Sequence, residues 1–308
     1  MIVYRELSSL VADLGFSAKT LYGVSNRIWA HYHRIRIPKR DGGVRELCVP
    51  DRLLKAIQRQ IHEKLLCLEA VSPYAAAYRP CGSTRVNAAP HTGKRVVLKL
   101  DIDRFFDHAR DSLVKEYAFP AWRYSERNRV LLTLLCTNRG VLPQGAPTSP
   151  AISNLILCAF DMTVGTWCAQ RGIAYTRYCD DMTFSGDFAP GEVIAAVRGE
   201  LGRLGFRLND SKTAIIRAGR RQLVTGLVVN ERVHVPRSYV RELRQELYYC
   251  RRFGLRSHIE QRGLAIPPET YAAQLLGRIG YVLSVEPGQR ALAEGRQWLL
   301  GEIGKAET

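Results

Sequence analysis

The sequence lacks any cysteine pattern that would indicate a zinc site or a disulfide framework. Its eight cysteines lie at irregular spacings without a C-x-x-C pair, which is typical of free thiols in a reducing compartment. No apolar run is long enough to cross a bilayer, and Glu6 and Asp13 interrupt the N-terminal segment, which argues against a signal peptide. Internal repeats and low-complexity stretches are also missing. These absences predict a cytoplasmic protein without a membrane partner.

Acidic residues are few in comparison with basic ones. The 308 residues include 45 Lys+Arg and 29 Asp+Glu, so the formal net charge is +16 and the pI is near 9.7. A hydrophobic fraction of 46% supplies enough apolar side chains for one large domain or for two to three subdomains. The positive charge suits a polyanionic partner such as nucleic acid, although charge alone fits a soluble basic protein equally well.

Two of the acids stand together in a segment that otherwise reads as strand. Residues 173–186 alternate around Asp180 and Asp181, and this pattern predicts a β-hairpin with both acids at its tip. Adjacent carboxylates repel each other, so they are tolerated in a solvated turn or where a cation binds both. For an isolated Asp-Asp pair, the solvated turn is the ordinary interpretation.

A third carboxylate ends another predicted strand. Residues 95–101 alternate in hydrophobicity and finish at Asp101, where a buried acid without a partner would be unfavourable. If Asp101 faces Asp180 and Asp181, the three can hold two divalent ions about 3.5–4 Å apart. Oxygen ligands favour Mg²⁺ over Zn²⁺. The predicted chemistry is in-line phosphoryl transfer.

Five motifs resemble those of reverse transcriptases. Three are similar to the palm motifs of that family: Asp101–Asp107 (DIDRFFD), Leu142–Pro150 (LPQGAPTSP) and Tyr178–Asp181 (YCDD). Asn87–His91 resembles the N-A-x-x-H element, and Val224–Gly226 the V-T-G element, of bacterial retron reverse transcriptases. The resemblance covers residues 34–287. One departure is Cys179, where retron enzymes more often carry alanine.

The resemblance implies an α+β, right-hand polymerase fold of fingers, palm and thumb, with an antiparallel split-βαβ palm sheet and a helical thumb. Residues 1–33 are then an N-terminal helical segment and 34–95 the fingers, with part of 112–150. Residues 96–232 form the catalytic palm and 233–308 the RNA-binding thumb. No RNase H module is expected.

The resemblance also assigns roles in the active site. Asp101, Asp180 and Asp181 are the expected catalytic and metal-binding residues, with two Mg²⁺ ions for which Mn²⁺ can substitute. The expected dNTP pocket consists of Arg45, Lys39, Phe106, Gln144, Gly145 and Lys212. Without the resemblance, these residues fit a solvated charged hairpin, a core aromatic, a Gly/Pro connector and a surface lysine.

A second group of residues is expected to contact or support RNA. The retron elements contribute Asn87, His91, Val224, Thr225 and Gly226, although residues 222–229 by themselves read as one strand with a kink at Gly226. A helix beginning near Pro236 places Arg237, Arg241, Arg244, Tyr248 and Arg251 on one face and an apolar stripe on another. Residues 217–262 contain eleven Arg and four Glu. A solvated face normally mixes signs, so this arginine stripe indicates contact with a nucleic-acid backbone.

The expected function is that of a retron-type RNA-directed DNA polymerase. Such an enzyme copies its cognate non-coding RNA, of the msr-msd type, into multicopy single-stranded DNA (msDNA) primed from an RNA 2′-hydroxyl. Its expected partners are that RNA, the DNA product, dNTPs and an effector protein of an antiphage defence system. Two alternatives remain open: a group II intron or diversity-generating reverse transcriptase, and a non-catalytic RNA-binding relative. The presence of all three acids argues against the last.

Overall fold

The computed structural model describes residues 2–38 and 42–306, the last three of these by their backbone only. The chain divides into two compact units. The first consists of Met1–Ser83 with Arg95–Ile216, and the second of Thr84–Lys94 with Arg217–Thr308. The expected boundaries of fingers, palm and thumb stay a prediction.

The first unit is mainly helical around one sheet. Its helices are α1 (Leu7–Leu14), α2 (Ala18–Ser25), α3 (Arg52–Ile61), α5 (Phe105–His108), α6 (Asp111–Tyr117), α7 (Glu126–Cys136), α8 (Ser149–Ile156), α9 (Cys158–Ala169) and α10 (Pro190–Arg203). Sequence signals account for some of these boundaries. The side chain of Asp51 caps α3 by accepting the N–H of Leu54 at 2.8 Å, and prolines occupy the first turns of α8 and α10.

The sheet of the first unit has four strands in the order β4-β5-β3-β6. The strands are β3 (Val96–Asp101), β4 (Ala174–Tyr178), β5 (Asp181–Gly186) and β6 (Ala214–Arg217). Strand β5 pairs antiparallel with both β3 and β4, as predicted for the palm. Leu98, Leu100, Met182 and Phe184 are buried, so the two central strands belong to the hydrophobic core and their ends are fixed by packing.

A separate hairpin joins β1 (Tyr32–Pro38) to β2 (Val44–Pro50). Its antiparallel register runs from Tyr32 opposite Pro50 to Pro38 opposite Val44. Ile35 and Ile37 are exposed on β1, which indicates that packing against the core fixes only the base of this hairpin.

The second unit contains α4 (Thr84–Ala88), β7 (Leu223–Val224), β8 (Leu227–Val228), α11 (Arg237–Phe253), α12 (Leu255–Gln261), α13 (Pro268–Val285) and α14 (Arg290–Ala306). The prediction of one kinked strand over residues 222–229 is wrong. Strands β7 and β8 form a short antiparallel hairpin whose turn is Thr225-Gly226. Both turn residues have positive φ, 46° and 83°, which closes a tight turn instead of bending a strand.

No single helix in residues 2–38 and 42–306 is long and apolar enough to span a membrane. The bent pair α8 and α9 passes the criteria of length and composition together, with a 49° angle between them.

Candidate active site and RNA-binding residues

The acidic hairpin has a two-residue turn. Tyr178 pairs with Asp181, so Cys179 and Asp180 form the turn and Asp181 is the first residue of β5. Cys179 has a φ of 60°, and a positive φ at the first turn position is the geometry that matches the twist of a hairpin. Asp180 therefore lies at the tip, whereas Asp181 begins a strand.

Asp101 lies directly beside this tip. It pairs with Asp181 in the register of β3 and β5, and the N–H of Ile102 donates to the carbonyl oxygen of Asp180 at 3.2 Å. The predicted convergence of the three acids is therefore present, although they are far apart in sequence.

The charges of the three carboxylates act on one another. Partial desolvation and the charges of Asp180 and Asp101 raise the pKa of Asp181 to about 6. Burial and the charge of Asp101 also raise the pKa of Asp180. A bound cation would stabilise the ionised forms of these mutually repelling carboxylates.

Lys212 pairs with the most buried of the three acids. Its Nζ donates to Oδ1 and Oδ2 of Asp101 at 3.0 and 2.9 Å, and Asp101 is 6% exposed. This hydrogen bond raises the pKa of Lys212. Across the described residues, no three His, Cys, Asp or Glu side chains are grouped closely enough to hold a metal ion. The hard oxygen donors nevertheless fit a divalent ion once the ammonium group of Lys212 is displaced.

One further cation of the predicted dNTP pocket acts on the acids. Arg45 is exposed on β2 opposite Ile37, and its charge, like that of Lys212, opposes the rise in the pKa of Asp180. The structure thus brings Arg45 within electrostatic range of the hairpin tip. Lys39 lies outside the described residues.

Gln144 and Gly145 contact the same strand as Arg45. The carbonyl oxygen of Gln144 accepts the N–H of Cys48 at 2.8 Å. Gly145 has a φ of +124°, and a Cβ there would lie 3.0 Å from the carbonyl oxygen of Cys48. Glycine is required by both its backbone conformation and this close approach. The Gln144-Gly145 segment therefore packs against β2 and is more than a connector between two helices.

Phe106 is half-buried in the short helix α5. Its ring packs edge-on against Phe105 with centroids 5.3 Å apart, while Phe105 is buried and stacks on Phe206. Of the two adjacent aromatics, one fills the core and the other keeps an accessible face.

In the second unit, the two retron elements contact each other. Asn87 Nδ2 donates to Thr225 Oγ1 at 3.4 Å, and Thr225 Oγ1 donates to the carbonyl oxygen of Thr84 at 3.2 Å. Val224 is buried and Gly226 completes the turn. His91 is fully buried, and burial lowers its pKa to about 4. These residues hold a turn in place, and His91 is neutral at physiological pH.

Comparison with known proteins identifies the family. The sequence profile described as "Reverse transcriptase (RNA-dependent DNA polymerase)" matches residues 37–236. The chain is 35% identical to the retron Mx65 reverse transcriptase of Myxococcus xanthus, over 93% of this chain and 70% of that protein. It is 32% identical to the retron Ec86 reverse transcriptase of Escherichia coli, over 67% of this chain and 65% of that protein. The chain belongs to the retron reverse transcriptases.

A telomerase is among the similar solved structures. Apo telomerase from Candida tropicalis superposes with a TM-score of 0.48 at 13% identity, over 89% of this chain and 58% of that chain. The profile match carries the assignment: the chain has the right-hand polymerase fold of an RNA-directed DNA polymerase, a family that depends on divalent metal ions.

In this retron reverse transcriptase, a buried ion pair supports the acidic hairpin. Neither of its residues belongs to the sequence motifs described above. Arg177 and Asp161 are both fully buried. Arg177 donates through Nε and Nη2 to Asp161, and through Nη1 to Asn154 Oδ1 at 3.2 Å and to the carbonyl oxygen of Cys179 at 2.8 Å. The guanidinium thereby ties the turn to helices α8 and α9. An arginine inside strand β4, whose central residues are buried, was the available sequence signal.

Tyr78 is a second residue that the motifs did not reveal. It has a φ of 57°, and Asn154 Nδ2 contacts its carbonyl oxygen at 3.4 Å. Burial and the neighbouring Cys179 raise the pKa of its hydroxyl. A half-exposed tyrosine in a left-handed conformation is therefore held beside the turn that carries Asp180.

The predicted arginine stripe is exposed on α11. Val240, Leu243, Leu247 and Cys250 are buried as expected, and the stripe residues are exposed: Arg237, Arg241, Arg244, Tyr248 and Arg251. Three of its arginines, with Arg221 and Arg232, line a cavity of about 930 Å³. The cavity concentrates positive charge where a nucleic-acid backbone can approach.

Proposed function

We propose that this retron reverse transcriptase copies a cognate structured non-coding RNA, of the msr-msd type, into msDNA and starts from a 2′-hydroxyl of that RNA. The observation that carries the catalytic part is the register of the sheet, in which Asp101 lies opposite Asp181 and next to the backbone of Asp180. Three carboxylates at one strand end suit phosphoryl transfer, whose catalysis is mainly positioning and charge stabilisation.

Asp101, Asp180 and Asp181 hold two Mg²⁺ ions in this proposal, and Mn²⁺ can substitute. When bound, the ions supply the charge that activates the attacking hydroxyl and stabilises the leaving pyrophosphate. The pKa values of Asp180 and Asp181, raised by burial and by the repulsion between the acids, support a role in cation binding, because a bound cation favours the ionised form of both carboxylates. With a metal ion on Asp101, Lys212 would lose its contact with this carboxylate and would bind the polyphosphate.

The incoming dNTP is bound by the surrounding cations and by the Gln144-Gly145 turn. Arg45 and Lys39 neutralise the triphosphate from the hairpin of β1 and β2. The backbone approach permitted by Gly145 and the amide of Gln144 orient the nucleotide. The contact between Gln144 and Cys48 supports this assignment because it fixes the turn against the strand that carries Arg45.

Phe106 discriminates against ribonucleotides in this proposal. Its accessible ring, held edge-on by Phe105, would clash with a ribose 2′-hydroxyl. Replacement of Phe106 by Ala then raises incorporation of ribonucleotides relative to deoxynucleotides. Unchanged discrimination in single-nucleotide extension assays would remove Phe106 from this role.

The second unit binds the RNA. The stripe residues Arg237, Arg241, Arg244, Tyr248 and Arg251 follow the phosphates of a structured RNA, while the pair Asn87–Thr225, with His91, Val224 and Gly226, shapes a turn for a specific contact. The exposure of the stripe and the cavity beside it support this role. We also propose a setting in antiphage defence, in the cytoplasm and with an effector protein as partner, which membership of the retron family supports.

Nucleic acid that co-purifies with the protein tests this function. The protein is expressed together with the DNA that flanks its gene, and bound nucleic acid is treated separately with DNase, RNase and a 2′–5′ debranching enzyme. We expect a single-stranded DNA whose mobility changes on debranching and which Asp180→Asn does not produce. DNA without an attached RNA would contradict priming from the 2′-hydroxyl, and the same DNA from Asp180→Asn would contradict the catalytic assignment.

A further inference from the structure

A second cavity in the RNA-binding unit lies apart from the arginine stripe. It has a volume of about 730 Å³ and is enclosed by α11, α12 and α13. Its walls include Gln245, Tyr249 and Phe253 from α11 and His258 and Gln261 from α12. The cavity is large enough for a nucleotide-sized ligand.

His258 places two buried ring nitrogens in this cavity. It is 5% exposed, and neither Nδ1 nor Nε2 has a hydrogen-bond partner among the residues that the structure describes. Burial lowers its pKa, so the imidazole is neutral and offers one donor and one acceptor. Two buried polar atoms without partners destabilise the folded protein, and a ligand with a complementary donor and acceptor would remove that penalty.

The aromatic residues of the cavity define the shape of this ligand. The ring of Tyr249 lies nearly parallel to that of His258, with centroids 6.0 Å apart and 19° between the planes. Phe253 stacks on Tyr249 at 6.2 Å and is 53% exposed. Flat aromatic faces at the mouth of a cavity favour a planar, stacking ligand.

The charges of the cavity argue against a phosphate. Its two arginines are occupied by one buried acid: Arg262 Nη1 donates to Glu246 Oε1 at 2.8 Å, and Arg278 Nη1 donates to Glu246 Oε2. Tyr271 also donates its hydroxyl to Glu246. The remaining polar groups are the carboxylate of Glu242, the hydroxyl of Tyr249, the neutral His258 and the amides of Gln245 and Gln261. The carboxylate repels a phosphate, and the neutral groups can hydrogen-bond with the edge of a base.

We propose that this cavity receives one unpaired nucleobase of the bound RNA. The base stacks on Tyr249 and Phe253 and hydrogen-bonds with His258 through its edge, while the arginine stripe of α11 holds the neighbouring phosphates. The proposal rests on the proposed function in so far as that function assigns RNA binding to this unit. It adds a site of sequence preference to a surface that otherwise reads only the backbone.

Binding of single-stranded RNA tests the base pocket. Fluorescein-labelled 12-mers of rA, rC and rU are titrated with the full-length protein, and anisotropy gives each Kd at fixed salt. We expect one 12-mer to bind about tenfold tighter than the weakest, as one well-stacked base allows. Tyr249→Ala and His258→Phe should each abolish this preference, and the matched control Tyr249→Phe should keep it.

A second contrast separates the pocket from the stripe. Arg241→Gln, in the stripe, should weaken all three 12-mers by the same factor and reduce the salt dependence. Equal binding of the three 12-mers by the wild type, or a preference that survives both Tyr249→Ala and His258→Phe, would overturn the proposal. Thermal melts verify folding, and His258→Gln replaces His258→Phe if the latter does not fold.

Different experimental results would contradict the base pocket and the proposed function. Primer extension on an RNA template with a DNA primer should remain in Tyr249→Ala and His258→Phe, because neither residue is placed in the active site. Normal extension without any change in base preference overturns the pocket alone. Loss of extension by the wild-type protein overturns the proposed function itself.

Discussion

Lys212 holds both carboxylate oxygens of Asp101, at 3.0 and 2.9 Å from Nζ. Lys212 thus contacts the two oxygens through which Asp101, the most buried acid of the site, would bind a metal ion. In the proposed metal site, a cation on Asp101 would compete with this ammonium group for the same oxygens. Lys212 would then lose its contact with Asp101 and bind the polyphosphate instead.

Removal of Lys212 should therefore make metal binding easier. Lys212 is 60% exposed, and exposed ion pairs contribute about 0.2–1 kcal/mol, so Lys212→Met should lower the Mg²⁺ concentration for half-maximal primer extension by about two- to fivefold. The KM for dNTP should rise at the same time. Lys115→Met is the matched control, because it removes a lysine–carboxylate pair with Glu126 outside the active site. A higher Mg²⁺ requirement in Lys212→Met would contradict this competition.

The buried pair Arg177–Asp161 should affect stability and catalysis separately. Asp161→Asn leaves Arg177 as a buried charge without its carboxylate, so the free energy of unfolding should fall by about 3–5 kcal/mol. The double variant Arg177→Met/Asp161→Leu should recover much of this stability, since apolar side chains replace both charges. It should still extend primers slowly, because nothing replaces the bond from Arg177 to the carbonyl of Cys179. Urea denaturation and kcat measure the two effects, and full activity in the stable double variant would show that Arg177 does not position the turn.

The contact between Asn87 and Thr225 should matter for the RNA and not for the chemistry. Thr225→Val removes the hydroxyl that accepts from Asn87 and donates to Thr84, whereas Thr225→Ser retains it. We expect Thr225→Val to weaken binding of the co-purifying RNA by about tenfold, the effect of roughly 1.4 kcal/mol, with unchanged extension of a DNA primer on an unrelated RNA template. Equal RNA affinities of the Val and Ser variants would remove the hydroxyl from this role.

His91 should make the protein less stable in mild acid. Its pKa is lowered from 6.5 to about 4 by burial, so between these values the unfolded chain binds more protons than the folded one. Stability is therefore complete above pH 6.5 and falls as the pH decreases to about 4, by up to about 3 kcal/mol from this residue. His91→Gln should flatten the difference in unfolding free energy between pH 7 and pH 4.5. Parallel pH profiles for the two proteins would contradict a buried neutral His91.

The sequence predicted those parts of the fold that depend on local patterns. Alternation and turn residues located the strands around Asp101 and Asp180, and the 3.6-residue period located the buried stripe of α11. The convergence of Asp101 with Asp180 and Asp181 was suggested by the acids at the strand ends and supported by the resemblance, and it is present in the register of β3 and β5. The prediction failed at residues 222–229, because a turn with positive φ at Thr225 has no signal of its own when the residue is β-branched.

The roles of residues that act through tertiary contacts could not be predicted from sequence motifs. Asp161 lies in the largely apolar helix α9 and Arg177 in strand β4, and only folding brings them together. The same holds for His258, whose buried nitrogens become evident only when α11, α12 and α13 enclose a cavity. Periodicity identifies which face is buried, but it does not reveal which polar groups on that face find partners.

Primer extension by Asp180→Asn tests the convergence of the three acids most directly. The assay uses an RNA template, a DNA primer, dNTPs and Mg²⁺, with Asp187→Asn as the matched control, because Asp187 is an exposed acid just beyond the other end of β5 that pairs with Arg95. We predict that Asp180→Asn lowers kcat by about a thousandfold, while Asp187→Asn extends at the wild-type rate. Extension by Asp180→Asn at the wild-type rate would contradict the account.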